Sequence, residues 1–268
     1  MQVFDRKIKK KHFERIANSN KFENHKFLAE EVASRLVSNF GVDIVKNFEK
    51  VLNIGDKKNL LKNHLKNSSL IGEIFSSNVS EKLLEGKNQI VCDEEFLPFS
   101  NGSFDLIISN LNLHWVNDLV GFLVQAKNIL KSDGFFIASI FGGATLKELS
   151  QVFLEVGSQN NRVTPRISPF ADAKDMAGLL QRAGFSEPVA ITETIIVQYE
   201  NLKDLLYDLR YSGEGNVILK ADKNYAGRDF FQKAEEIYRQ KFADNQGLLP
   251  ASFEIITFSG WKTNKNKL

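Results

Sequence analysis

QIVCDEEFLPFSNGSFDLIIS, residues 89–109, holds two short apolar runs with an acidic, proline-containing stretch between them. Gln89-Ile90-Val91-Cys92 and Phe104-Asp105-Leu106-Ile107-Ile108-Ser109 have the texture of strands buried on both faces. Outward from this pair the pattern repeats. Val51-Leu52-Asn53-Ile54-Gly55 is an apolar run ending in glycine, as a strand entering a turn would be. Leu70-Ile71-Gly72-Glu73-Ile74-Phe75 and Phe135-Phe136-Ile137-Ala138-Ser139-Ile140 complete a set of five. Amphipathic stretches separate them, most clearly residues 119–130, closed by Asp133-Gly134. Strand alternating with helix predicts an α/β fold, a mostly parallel sheet with helices on both faces. Ligands of such sheets bind at the carboxyl ends of the strands, so a site is expected in the loops after Ile54, Phe75, Cys92, Ser109 and Ile140.

The flanks extend this plan. Residues 1–40 read as helical, with Phe27, Leu28, Val32, Leu36 and Val37 at helical spacing and Gly41 as a stop. Thr145 and Glu148 have the spacing of a capping box that starts a helix ending near Gly157. Residues 158–170, with Pro165 and Pro169, read as a loop. Residues 173–183 read as a helix stopped by Gly184, 189–199 as a strand, 202–210 as a helix begun at Asn201, 229–243 as a helix and 253–258 as a strand. With no repeat and no linker, residues 1–268 read as one domain. It has a helical part (1–45), a nucleotide-fold core (46–145) and a half that closes the sheet (146–268).

Composition narrows the function classes. Hydrophobic residues make up 43% and charged residues 25%, and the net charge is +2, so no global field draws the chain to nucleic acid. One cysteine, Cys92, excludes an internal disulfide and a cysteine-based metal site, and fits a reducing compartment. No apolar run reaches 18 residues and the N-terminus lacks a secretory h-region. The basic cluster Arg6, Lys7, Lys9, Lys10, Lys11 reads as a solvated helix face, or as a contact for an acidic partner or an anionic membrane surface.

The stretch Asp93 to Phe99 followed by Ser103-Phe104-Asp105-Leu106-Ile107 resembles the third and fourth strand motifs of class I S-adenosylmethionine (SAM)-dependent methyltransferases. Further stretches resemble one branch, the complex I assembly factor family of methyltransferase-like proteins whose mitochondrial members are described as arginine hydroxylases. They are Phe4-Asp5-Arg6, Leu113-His114-Trp115-Val116-Asn117-Asp118-Leu119, Gly142 to Leu149, Ser168 to Asp172, Leu180 to Phe185, Asp208-Leu209-Arg210 with Gly213 to Asn216, and Ala251 to Glu254 through Gly260-Trp261. The likeness covers nearly the whole chain and is weaker to the malonyl-carrier-protein methyltransferases of biotin synthesis. It implies a Rossmann-like seven-stranded sheet with N-terminal helices and C-terminal helical additions. Because it begins at residue 3 or 4, it implies a bacterial, cytoplasmic member, peripheral at the inner membrane at most.

Carried over residue by residue, the resemblance implies SAM as cofactor, with Asn53, Gly55, Asn78, Asp93, Glu94, Asn110 and Leu113 around it. The fold's first strand normally ends in Asp-x-Gly-x-Gly-x-Gly. Here the stretch is Asn53-Ile54-Gly55-Asp56-Lys57-Lys58-Asn59, so Lys57 and Asn59 stand where glycines are expected. Side chains there take cofactor volume or oppose the backbone angle, which Asn tolerates better than Lys. Asn78 replaces the acid that accepts from the ribose hydroxyls and loses charge-assisted strength; Glu73 is an alternative acid. Asp93 suits the adenine amino group, and the Glu94 N–H a ring nitrogen. Leu111 and Leu113 would wall the cofactor or simply pack in the core.

Methyl transfer needs alignment and exclusion of water more than a strong acid or base. His114 and Trp115 follow the fourth strand where substrate-facing residues sit, and His114 is the candidate base; its other reading is a structural histidine. Asn117 and Asp118 read as caps of the next helix. The four histidines, His12, His25, His64 and His114, form no local metal-ligand pair with a carboxylate, so no metal is assigned. Three functions follow: a SAM-dependent enzyme acting on a complex I subunit or another protein, an assembly chaperone that has lost SAM binding, and a small-molecule methyltransferase.

Overall fold

The five apolar runs pair side by side as parallel strands in a computed structural model that describes residues 2–38, 40, 42–159, 173–219 and 227–263. They are β1 (Phe48–Ile54), β2 (Ile71–Asn78), β3 (Gln89–Val91), β4 (Phe104–Asn110) and β5 (Leu130–Phe141). The late strands β6 (Ser186–Tyr199) and β7 (Leu249–Lys262) close the sheet, β7 antiparallel to both β5 and β6. The order is β3-β2-β1-β4-β5-β7-β6. Its direction reverses between β1 and β4, and their carboxyl ends frame the crevice where this architecture places ligands.

Alternation along the strands sorts the core into two layers. Val51, Leu106, Ile108 and Ile137 pack with side chains of α1 (Arg6–Ala17), α3 (Phe27–Ser38), α6 (Lys147–Gln159) and α9 (Arg228–Phe242). Leu52, Ile54, Ile107 and Phe136 face the other way, onto α5 (Leu119–Ile129) and α7 (Ala173–Arg182). Covered on both faces, these strands have no polar side to show, which is why they read as unbroken apolar runs. The short helices α2 (Phe22–His25) and α4 (Leu60–Leu65) and helix α8 (Leu202–Tyr211) complete the set among the described residues. None of these helices is long and apolar enough to cross a membrane.

Several local expectations hold through their expected chemistry. Asn201 caps α8 by accepting from the Asp204 N–H at 3.0 Å, and Asp118 caps α5 by accepting from Gly121. Gly184, at φ +85°, ends α7, with the Phe185 N–H bonded to the Leu180 carbonyl. Others are corrected. Asp133-Gly134 does not close α5: the helix stops at Ile129, β5 begins at Leu130, and Asp133 takes φ +59° inside the strand. The capping box at Thr145 and Glu148 does not form. Thr145 Oγ1 instead exchanges hydrogen bonds with the Glu254 backbone, and Glu148 accepts from the Ser252 N–H and hydroxyl, stitching α6 to β7. Asn117 is no cap either; its side-chain oxygen accepts from the Val3 and Phe4 N–H groups and so fastens the N-terminal strand of chain. Gly41 and most of the loop expected at 158–170 lie outside the described residues.

Candidate functional site

The loop after β1 is held by its own side chains. Gly55 has φ +78°, and a Cβ there would run into the Asn112 side chain, so glycine is required by both angle and space. The buried Asp56 carboxylate accepts from Ser76 Oγ at 3.1 Å and the Leu61 N–H at 3.2 Å. Burial pushes its pKa up to about 6, against the pull of those bonds. Asn59 adopts φ +59° ahead of α4, and Lys58 is left-handed too. Lys57, which stands where the fold usually has glycine, is 5% exposed. Its ammonium crosses the crevice to donate to Glu214 Oε1 at 2.5 Å and lies 5.1 Å from the Phe13 ring centre.

The end of β2 is equally engaged. Asn78 donates through Nδ2 to the Asp56 carbonyl at 2.9 Å and accepts from the Ser80 N–H at 2.9 Å. The residue in the ribose-acid position thus ties β2 to the glycine loop. Glu73 is not an alternative: it is exposed near the start of β2 and accepts from Asn88.

Beyond β3, the carboxylates meet the basic N-terminal helix. Arg6 Nη2 donates to Asp93 Oδ1 at 2.6 Å and to Glu94, Nε donates to Asp93 Oδ2 at 3.3 Å, and Nη1 donates to the Trp115 carbonyl at 2.9 Å. Lys9, 1% exposed, donates to Glu94 Oε1 at 2.6 Å, where Asn112 Nδ2 also donates at 2.6 Å. Burial alone would raise the Glu94 pKa; the Lys9 and Arg6 charges overcome it and hold the carboxyl well below its usual range. Burial lowers the Lys9 ammonium to about 8 even with Glu94 beside it. The basic cluster therefore splits: Arg6 and Lys9 turn inward to the chain's own acids, while Lys7, Lys10 and Lys11 stay exposed.

After β4, Asn110 donates to the Ala29 carbonyl and accepts from Ser139 Oγ, anchoring α3. Asn53, within β1, is fully buried. Leu111 and Leu113 belong to the two apolar layers. His114 Nε2 lies 3.0 Å from Glu214 Oε2, and the ring packs on Trp115 and Phe141. Burial lowers its pKa, against the pull of Glu214. Trp115 is buried and meets Phe4 edge to face. So Gly55, Asn78, Asp93, Glu94, Asn110 and His114 do converge on the strand ends. Sequence reading missed the residues that join them, namely Arg6, Lys9, Asn112 and Glu214. An acidic run at 93–95 and a basic run at 6–11 were visible signals, but nothing local pairs groups 85 residues apart.

The space left beside Gly55 is about 10 Å³, bounded by Ala29, Asn53, Lys57 and Asn110 among others. Small-molecule sites run to roughly 300–1,000 Å³. Among the described residues, the hollow beside Gly55 is therefore much smaller than a cofactor site. A cavity of about 860 Å³ lies past Trp115 and Glu214, lined from α1, α6, α8 and α9. Among the described residues no three His, Cys, Asp or Glu side chains are grouped to hold a metal ion.

Comparison with known proteins agrees with the architecture. Residues 59–138 match the family described as "Methyltransferase domain". Human "Arginine-hydroxylase NDUFAF5, mitochondrial" is 35% identical over 275 aligned residues, spanning 100% of this chain and 79% of that protein. A malonyl-acyl-carrier-protein O-methyltransferase of Gallionella capsiferriformans is 34% identical over 184 residues, 68% of this chain and 61% of its own. Among solved structures, phosphoethanolamine N-methyltransferase 2 of Haemonchus contortus, in complex with S-adenosyl-L-methionine, superposes with a TM-score of 0.55 at 14% identity. That match covers 94% of this chain and 60% of that one; at this identity it speaks to the fold alone.

Proposed function

This chain belongs to the class I SAM-dependent methyltransferase superfamily, in the branch of its NDUFAF5 relatives, and on that premise we propose that it serves the assembly of respiratory complex I by acting on a protein subunit. The observation that carries the proposal is the likeness to NDUFAF5, which runs the full length of this chain, past the nucleotide-fold core and through the half that closes the sheet. SAM is the cofactor proposed, as in the superfamily. Arg6, Lys9, Lys57 and Asn112 are engaged with the chain's own carboxylates at the strand ends, so no step of methyl transfer is drawn through these residues. The proposed place of action is the cytoplasm, at the inner-membrane surface, with Lys7, Lys10 and Lys11 as the exposed cations available to an acidic partner.

A second reading, an assembly chaperone that works without SAM, is favoured by one feature: Lys57 and Glu214 form a buried ion pair across the crevice, 2.5 Å apart. Calorimetric titration of SAM into the wild type and into Arg6→Gln separates the two. Heat and a thermal shift in either protein support the methyltransferase reading. Silence in both, at millimolar SAM, removes it and leaves the chaperone.

A further inference from the structure

The 860 Å³ cavity adjoins the strand-end crevice, sharing Trp115 and Glu214 with it, and its wall is unevenly charged. Leu149 and Phe153 of α6, Leu206 of α8 and Phe231 of α9 make an apolar side. Among the described residues two acids reach the cavity, and both are already taken: Glu214 holds Lys57 and His114, and Glu235 accepts from two nitrogens of Arg239. Arg15, Arg210 and Arg228 line the cavity, and among the described residues no carboxylate pairs with any of them. Arg15 is half-buried, and its pKa falls, first through burial and then through the charge of Arg210. Arg210 is exposed, so water screens the pair, but an anion entering the cavity would meet both guanidinium groups beside an apolar wall.

We propose that this cavity binds an amphipathic anion, a carboxylate carried on an unbranched apolar chain, with the head group held by Arg15 and Arg210 and the chain laid against Leu149, Phe153, Leu206 and Phe231. The volume lies within the range of small-molecule sites. A guanidinium pair provides the planar donors that a carboxylate accepts in a bidentate manner. None of these six residues lines the hollow beside Gly55, although Glu214 borders the cavity and also bonds Lys57 across the crevice.

Decanoate is the probe, titrated into the full chain below its micelle concentration and followed by calorimetry. Decanol and decyltrimethylammonium serve as neutral and cationic controls. One decanoate per chain is expected, with decanol weaker by about tenfold or more, the loss of a charge-assisted hydrogen bond, and with no binding of the cation. Arg15→Gln/Arg210→Gln should weaken decanoate by a similar factor and leave decanol unchanged. Removal of two mutually repelling charges should not lower the thermal midpoint of the free protein. Leu206→Trp, which fills the apolar end, should weaken both decanoate and decanol. Equal affinity for decanoate and decanol, binding of many decanoates per chain, or an arginine variant that binds decanoate like the wild type would each overturn the assignment.

Discussion

Glu94→Gln tests the reasoning about the N-terminal helix most directly. The Glu94 side chain is 2% exposed and Lys9 1%, so neither charge is relieved by water. Three donors, from Lys9, Arg6 and Asn112, converge on the carboxylate. Glutamine offers one acceptor in place of two, and its own N–H₂ must then face one of those donors. Stripping a buried pair of one partner costs roughly 3–5 kcal/mol. The lower end applies, because Arg6 retains Asp93 at 2.6 Å. With roughly 2–4 °C per kcal/mol for chains of this size, the thermal midpoint should fall by about 6–12 °C at pH 7. Urea unfolding followed by circular dichroism measures the same difference.

Acid supplies the second arm of that test. The folded pKa of Glu94 is depressed, so its contribution is complete above the unfolded carboxyl value of about 4.3 and is lost as pH falls toward the folded one. The gap between wild type and Glu94→Gln should therefore narrow below about pH 4. Adding Lys9→Met to Glu94→Gln should recover part of the loss, since the uncompensated ammonium goes with it. A variant within about 0.5 kcal/mol of wild type at pH 7, the range of an ordinary surface change, would refute the account of a buried charge network.

Three further outcomes are expected. Asp56 has its pKa raised to about 6 by burial, so its share of stability is present in acid and lost as pH rises through that value; Asp56→Asn should flatten the decline between pH 4 and 7 in a stability–pH profile. Asn78→Asp would return the superfamily's acid but set a carboxylate against the Asp56 carbonyl that Asn78 now bonds; a loss of about 1–3 kcal/mol in urea unfolding is expected. Gly55→Ala should cost about 2 kcal/mol or more, combining a left-handed φ with collision into Asn112, and Asn112→Ala in the same chain should recover the steric part.

The strands and most helices were legible because local signals carry them. Buried parallel strands leave apolar runs, and Asn201, Asp118 and Gly184 carry cap chemistry wherever they fall. Thr145 and Glu148 show the limit. Their spacing suits a cap, yet the neighbouring β7 offers Ser252 and the Glu254 backbone, and those partners win. Lys57, Asn59 and Asn78 were recognisable as departures from the glycine loop and the ribose acid by their identity alone. What fills the space they leave was not. Lys57 meets Glu214 across 157 residues, and Lys9 meets Glu94 across 85. Sequence by itself determined the α/β class, the superfamily and the three altered positions, since each rests on residue type and short spacing. Only the tertiary structure decided that α1 turns two cations inward onto Asp93 and Glu94 and that Lys57 crosses to Glu214 beside a small hollow at Gly55, because charge pairing and packing volume depend on distances through space that no local pattern encodes.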